Sequence, residues 1–201
     1  MIITLSRAAE LLLQGEVVAI PTDTVYGLAA LATDRAAVEK LFIIKGRPSS
    51  NPLVTLLASA DQISLFADDL PLYFKELTSC FWPGGLTLAL PVKKGSVLDI
   101  VRAGLSTAGF RIPNHDAVLA LLEQTGPLVA PSANLSGEPP ALTATEVESI
   151  FGDDFPILDG LDLGGRETGK GTPSTVLSFT QNKWAILRQG AISAEELAPF
   201  L

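Results

Sequence analysis

Short apolar runs alternate along this chain with segments of helical periodicity, and that alternation decides the fold class. Residues 17–20, 53–58, 86–91, 105–112 and 127–130 are brief, apolar and bounded by proline, glycine or polar clusters, the pattern of strands covered on both faces. Helix signatures lie between them. Ser6 precedes an Ala/Leu stretch that stops at Gly15, and Asp34 precedes Val38, Leu41 and Phe42 at i, i+3, i+4 spacing. Thr143 with Glu146 forms a capping box for a helix ending at Gly152. Further helices are expected from the Ser59/Gln62 capping box, over 69–81, over 95–102, from His115 through Leu122, and after Ser193 with Glu196. Residues 174–179 and 183–188 read as a hairpin through Thr180-Gln181-Asn182. The hairpin breaks strict strand–helix–strand order, so the expected architecture is a mixed, twisted α/β sheet. With no internal repeat, linker or charge block, residues 1–201 are expected to form a single domain.

Composition narrows the chemistry. The 201 residues are 47% hydrophobic, enough to bury roughly 70% of the unfolded surface. No apolar run reaches the roughly 18 residues that cross a bilayer, and residues 1–7 do not read as a signal peptide, so a cytoplasmic protein with no membrane association is expected. Cys80 and His115 are the only residues of their types, which excludes an intrachain disulfide, a thiolate metal cluster and a histidine-rich metal site. No protein metal ligands are implied. Any metal would be bound by oxygen, which favours magnesium carried on substrate phosphates. The net charge of −8 argues against tight, non-specific nucleic-acid binding. It still permits a local basic pocket for a small anion.

Five segments carry the candidate chemistry. Lys45-Gly46-Arg47-Pro48-Ser49-Ser50-Asn51 ends one helix and precedes a strand, with Gly46 as the left-handed terminator. Lys45 there either complements the helix dipole or serves a ligand. Pro21-Thr22-Asp23-Thr24-Val25-Tyr26-Gly27 sets hydroxyls and one carboxylate directly after a buried strand. Arg111 sits within an apolar strand and needs either an acidic partner or an anionic ligand. Ser132 and Asn134 are two apart, so in an extended segment they project from one face. Trp82 reads as a core anchor and His115 as a helix-start residue. Residues 160–171 are glycine-rich with Arg166 and Lys170, equally suited to greeting phosphate or to a mobile loop.

Together, Pro21-Thr22-Asp23-Thr24-Val25-Tyr26-Gly27, Lys45-Gly46-Arg47-Pro48, Trp82-Pro83-Gly84-Gly85-Leu86-Thr87 and Pro131-Ser132-Ala133-Asn134-Leu135-Ser136-Gly137 resemble the YrdC-type threonylcarbamoyl-AMP synthases. The likeness continues to Pro173-Ser174-Thr175-Val176 and Leu187-Arg188-Gln189-Gly190. It implies a mixed sheet of about seven strands around a large cavity. It also implies a nucleotidyltransferase that converts L-threonine, bicarbonate and ATP, with Mg2+, into threonylcarbamoyl-AMP and pyrophosphate. Partner proteins would then carry the threonylcarbamoyl group to adenosine 37 of tRNA, with weak or no direct tRNA binding by this chain. The family pattern K-x-R with S-x-N falls on Lys45, Arg47, Ser132 and Asn134 as catalytic residues. Thr24, Tyr26, Arg111 and Ser132 would hold threonine; Arg47, Asn51, Thr107, Asn134, Ser174, Thr175 and Arg188 would hold nucleotide. Fixed cations suit adenylyl transfer, because charge builds on the α-phosphate and leaving pyrophosphate without need of an acid or base.

Two departures accompany the resemblance. Some members carry a threonine-contacting histidine just beyond N-P-L, where this chain has Val54-Thr55-Leu56. Longer members add a second domain, so a chain ending at Leu201 is expected to resemble the single-domain type. Two other readings remain open: a related nucleotide- or RNA-binding protein without synthase activity, and a carbamoyl-transfer module of hydrogenase maturation. The latter carries cysteine-rich zinc segments that are absent from this sequence.

Overall fold

A computed structural model describes residues 1–158 and 171–201. Among these residues, ten strands form one sheet: β1 (Ile2–Ile3), β2 (Val18–Ile20), β3 (Gly27–Leu31), β4 (Val54–Leu56), β5 (Leu86–Pro91), β6 (Thr107–Arg111), β7 (Leu128–Val129), β8 (Ile157–Leu158), β9 (Thr175–Thr180) and β10 (Lys183–Arg188). Their order is β1-β8-β2-β3-β7-β4-β6-β5-β9-β10. Parallel ladders join β1 to β8, β8 to β2, β4 to β6 and β5 to β9, and the other pairings are antiparallel. The mixed α/β sheet is as expected, but ten strands replace the anticipated seven. The additions are β1, β3 and β8. β1 and β8 have two residues each and exist through pairing across most of the chain length, which no local pattern reveals. β3, Gly-Leu-Ala-Ala-Leu, is too poor in β-branched residues to stand out.

The helices are α1 (Leu5–Leu13), α2 (Arg35–Lys45), α3 (Phe74–Phe81), α4 (Asp99–Arg102), α5 (Asp116–Thr125), α6 (Ala144–Phe151) and α7 (Ala194–Leu197), with 3-10 turns at Ala60–Leu65 and Ala198–Phe200. Alternation along the strands divides the interior into two layers. Val18, Ile20, Ala29, Leu56 and Leu128 pack with α1 and α5, whereas Ala19, Leu28, Ala30, Leu88 and Phe110 pack with α2, α3, α4 and α6. Asp34 caps α2 by accepting from the amides of Ala36 and Ala37, and Gly46 ends it at φ 59°, as its sequence implies. The capping boxes at Thr143 and Ser193 form.

Several boundaries differ from expectation. Thr4, not Ser6, caps α1, because its hydroxyl reaches the amide of Arg7. Helix α3 begins at Phe74 rather than 69, since Tyr73 takes a left-handed conformation after Pro71. Only the last turn of the 95–102 segment is helical. Ser59 makes no side-chain cap; Gln62 instead accepts from the amide of Ala58, and the segment is 3-10. Trp82 is the expected core anchor, with Nε1 donating to Leu86 O at 2.7 Å and its ring edge-on to Phe74. His115 starts α5 as expected and is buried.

The hairpin of β9 and β10 turns at Gln181 and Asn182, both at positive φ, the geometry of a tight primed turn. At its open end the backbone after β10 passes unusually close to the segment before β9. A Cβ at Gly190 would lie 2.2 Å from Pro173 O and 2.5 Å from Ser174 C, so only glycine fits there. Replacing Gly190 with Ala should therefore destabilise the fold by about 2 kcal/mol or more, read as a lowered midpoint of denaturant unfolding. In the core, Thr55 Oγ1 is buried with no hydrogen-bond partner among the described residues. Thr55→Val removes that desolvated hydroxyl at nearly constant shape and should raise stability by roughly 1 kcal/mol; a loss on unfolding would contradict this.

Candidate functional site

A cavity of about 220 Å3 lies over the sheet face presented by Val54, Leu56 and Arg111, walled by the loops that follow β2 and β7 and by Pro173 and Ser174 just before β9. Phe110 turns into one core layer, so strand alternation sends Arg111 to the opposite face and into the cavity. Arg111 is 6% exposed, and it meets the acidic partner that a buried cation needs. Nη2 donates to Asp23 Oδ1 at 2.7 Å, Nη1 to Thr24 Oγ1 at 2.9 Å and Nε to Gly84 O at 2.9 Å. Burial lowers the Arg111 pKa, while Asp23 raises it. Three of its five N–H groups are committed, and the other two remain for a ligand.

The loop after β2 is organised by Thr22, whose hydroxyl donates to Val25 O at 2.6 Å. That hydroxyl has no second proton, so Thr24 is the donor in the 3.0 Å contact between the two hydroxyls. Thr24, accepting from Arg111 and donating to Thr22, thus meets the cavity with a lone pair. Gly27 is where β3 passes the segment after β7: a Cβ there would be 3.3 Å from Pro131 O, and Gly27 bridges to Ser132.

Lys45 is not a cation that merely complements the dipole at its helix end. It is 2% exposed, and Nζ donates to Ser132 O at 2.6 Å, Asn134 O at 2.7 Å and Asn134 Oδ1 at 2.8 Å. It therefore lies behind the wall that Ser132 and Asn134 present. Burial, and secondarily Arg47, push its pKa down to about 8. Ser132 and Asn134 share a face as expected, with Ser132 Oγ donating to Asn134 Oδ1 at 2.6 Å.

Arg47 and Arg188 line the cavity. Arg47 donates to Asn51 O and Pro52 O, while Arg188 donates to Ser174 O at 2.8 Å and Ser174 Oγ at 3.2 Å. The pKa of Arg47 is lowered by burial and then by Arg188; that of Arg188 is lowered by burial and then by Arg111. Three guanidinium groups thus crowd one hollow, and only Arg111 has an ion-pair partner among the described residues. Such a wall favours a polyanion.

Of the residues expected at the site, Thr24, Tyr26, Arg47, Arg111, Ser132, Asn134, Ser174 and Arg188 line this cavity. The structure separates four others from it. Thr107 is at the opposite end of β6, about 13 Å along the strand from Arg111. Thr175 is fully buried, its hydroxyl donating to Ile192 O and accepting from the amides of Gly190 and Ile192. Asn51 is exposed and offers its backbone carbonyl to Arg47. Lys45 is one layer back. The glycine-rich stretch at 160–171 lies outside the described residues except for Gly171. Sequence reasoning missed Asp23 as the partner of Arg111, Thr22 as the organiser of its loop, and Glu138 in the wall. The lone carboxylate among hydroxyls was the available signal for Asp23.

The Sua5/YciO/YrdC family model, described as "Telomere recombination", matches residues 10–190. A protein of Bacillus subtilis named threonylcarbamoyl-AMP synthase is 44% identical over 197 residues, 96% of this chain and 55% of that protein. The chain thus spans about half the length of this relative. The structure of Pyrococcus abyssi Sua5 complexed with L-threonine superposes with a TM-score of 0.91 at 37% identity, covering 100% of this chain and 61% of that one. Escherichia coli YciO shares the fold, with a TM-score of 0.82 at 24% identity over 98% of this chain and 92% of its own. The family model covers most of the chain and the relatives agree with it, so the chain belongs to the Sua5/YciO/YrdC family.

Proposed function

We propose that this chain makes L-threonylcarbamoyl-AMP, acting as a nucleotidyltransferase on L-threonine, bicarbonate and ATP. The observation that carries this reading is the cavity wall itself: one paired arginine beside hydroxyl oxygens, and two further arginines without an acidic partner among the described residues. The named B. subtilis relative and the threonine-bound P. abyssi structure support it. In this reading the remaining N–H groups of Arg111 take the threonine carboxylate, with Thr24, Tyr26 and Ser132 around the amino acid. Arg47, Arg188, Ser174 and Asn134 surround the nucleotide.

The amine attacks the carbon of bicarbonate, losing water to give the carbamate. A carbamate oxygen then attacks the α-phosphorus; that P–O bond forms as the α–β bridging P–O bond breaks and pyrophosphate leaves. Arg47 and Arg188 stabilise charge that builds on the phosphoryl oxygens without exchanging a proton. The described residues contain no group of three or more His, Cys, Asp or Glu able to hold a metal. A magnesium ion would therefore enter with ATP, held through phosphate oxygens and water, and supply charge neutralisation there. The labile product would be handed to the proteins that modify tRNA, in the cytoplasm where ATP and tRNA occur. No described helix is long and apolar enough to cross a membrane.

Release of pyrophosphate and AMP from ATP, dependent on both threonine and bicarbonate, tests the proposal; turnover indifferent to either co-substrate would refute it. Arg47→Ala should lower kcat/KM by about two orders of magnitude or more while circular dichroism stays that of the folded protein. Equal activity would remove Arg47 from the chemistry. Loss of the Lys45 proton should produce an alkaline limb in the rate near pH 8. Stability should move the other way: the folded protein releases this proton above about pH 8 while the unfolded chain keeps it until about 10.4. Between those values Lys45 makes unfolding less favourable as pH rises. Parallel rate and denaturation profiles check both signs.

A further inference from the structure

The amide of Asn134 has no spare hydrogen-bonding capacity. Its two Nδ2 protons go to Leu135 O at 2.8 Å and Glu138 O at 2.7 Å. Its Oδ1 accepts from Lys45 Nζ at 2.8 Å and from Ser132 Oγ at 2.6 Å. The two carbonyls and the ammonium fix which end of the amide is oxygen. An amide oxygen cannot donate, so the single proton of Ser132 must point at Asn134, away from the cavity. The Ser132 oxygen is left facing the cavity with lone pairs alone. Lys45 holds this arrangement from behind, because its other two donors grip the carbonyls of Ser132 and Asn134.

We propose that Lys45 is a positioning residue that, through Asn134, locks the Ser132 hydroxyl as an obligate acceptor for the ammonium or carbamate N–H of an amino-acid substrate. Thr24 meets the same hollow as an acceptor, since its proton is committed to Thr22. Arg111, bonded to Thr24 at 2.9 Å, supplies the complementary donors for a carboxylate. Two acceptor oxygens beside a guanidinium match the two ends of an α-amino acid. The identity of the amino acid rests on the function proposed above, whereas the locked hydroxyl does not.

A double-mutant cycle separates action through Asn134 and Ser132 from direct contact with phosphate. Threonine and ATP affinities would be measured by calorimetry for wild type, Lys45→Met, Ser132→Ala and the double variant. Each single change should weaken threonine about 10-fold or more, the double change should cost no more than about 3-fold beyond the worse single, and ATP affinity in Lys45→Met should stay within about 3-fold of wild type. Multiplicative losses for threonine, or a loss confined to ATP, would overturn the proposal. The Asn134 side-chain amide, followed by 15N NMR in the ligand-free wild-type protein, needs neither substrate nor a folded variant. Two slowly exchanging protons support the lock, and solvent-averaged protons overturn it. If threonine binds with the expected cycle but no pyrophosphate is released, the synthase reading fails while this inference stands.

Discussion

A lysine ammonium taken out of water, and given three oxygens in return, ties this site together. Lys45 is the last residue of α2, and its bonds to Ser132 and Asn134 join that helix to the segment after β7, 87 and 89 residues away. The backbone repeats the tie, since the amide of Ser136 donates to the Lys45 carbonyl at 3.0 Å. An ammonium has three donors, and all three are used within the protein. A buried cation so satisfied is costly to disturb, because removing it strands its acceptors. Ser132, Asn134 and the cavity rim therefore depend on a side chain that does not itself line the hollow.

The charge of the cavity follows from the same economy of partners. Asp23 neutralises Arg111 at the amino-acid end, and its Oδ1 also accepts from the amide of Asn114. Arg47 and Arg188 are held by carbonyls and a serine, groups that orient a guanidinium without cancelling it. In a protein of net charge −8 the positive potential is thus local, confined to a concave wall that focuses it. This separation suits the proposed reaction, in which a zwitterion and a polyphosphate must share one hollow. In that proposed reaction the paired arginine would recognise the amino acid, and the two without acidic partners would stabilise charge.

Much of this was legible in the chain. The two-sided apolar runs imply the α/β sheet, Asp34 and Gly46 bracket α2, and the capping boxes at Thr143 and Ser193 form as written. The i, i+2 spacing of Ser132 and Asn134 anticipates their shared face. The harder cases have identifiable causes. A hydroxyl beside a family motif does not disclose whether it turns inward: Thr175 spends its hydrogen bonds on Gly190 and Ile192. Thr107 shares β6 with Arg111 but stands at its other end. β1 and β8 are too short to carry a periodicity and arise from a parallel pairing between the two ends of residues 2–158.

The sequence alone determined the layer architecture, the helix caps and which residue types were available for chemistry, because these depend on side-chain periodicity and on contacts within a few positions. Only the tertiary structure decided that Lys45 stands behind the wall, that Asp23 answers Arg111, and that Ser132 meets the cavity as an acceptor. Each of those outcomes is set by hydrogen-bond partners far apart in the chain or by the geometry in which they hold a local pair, and burial keeps those bonds in place.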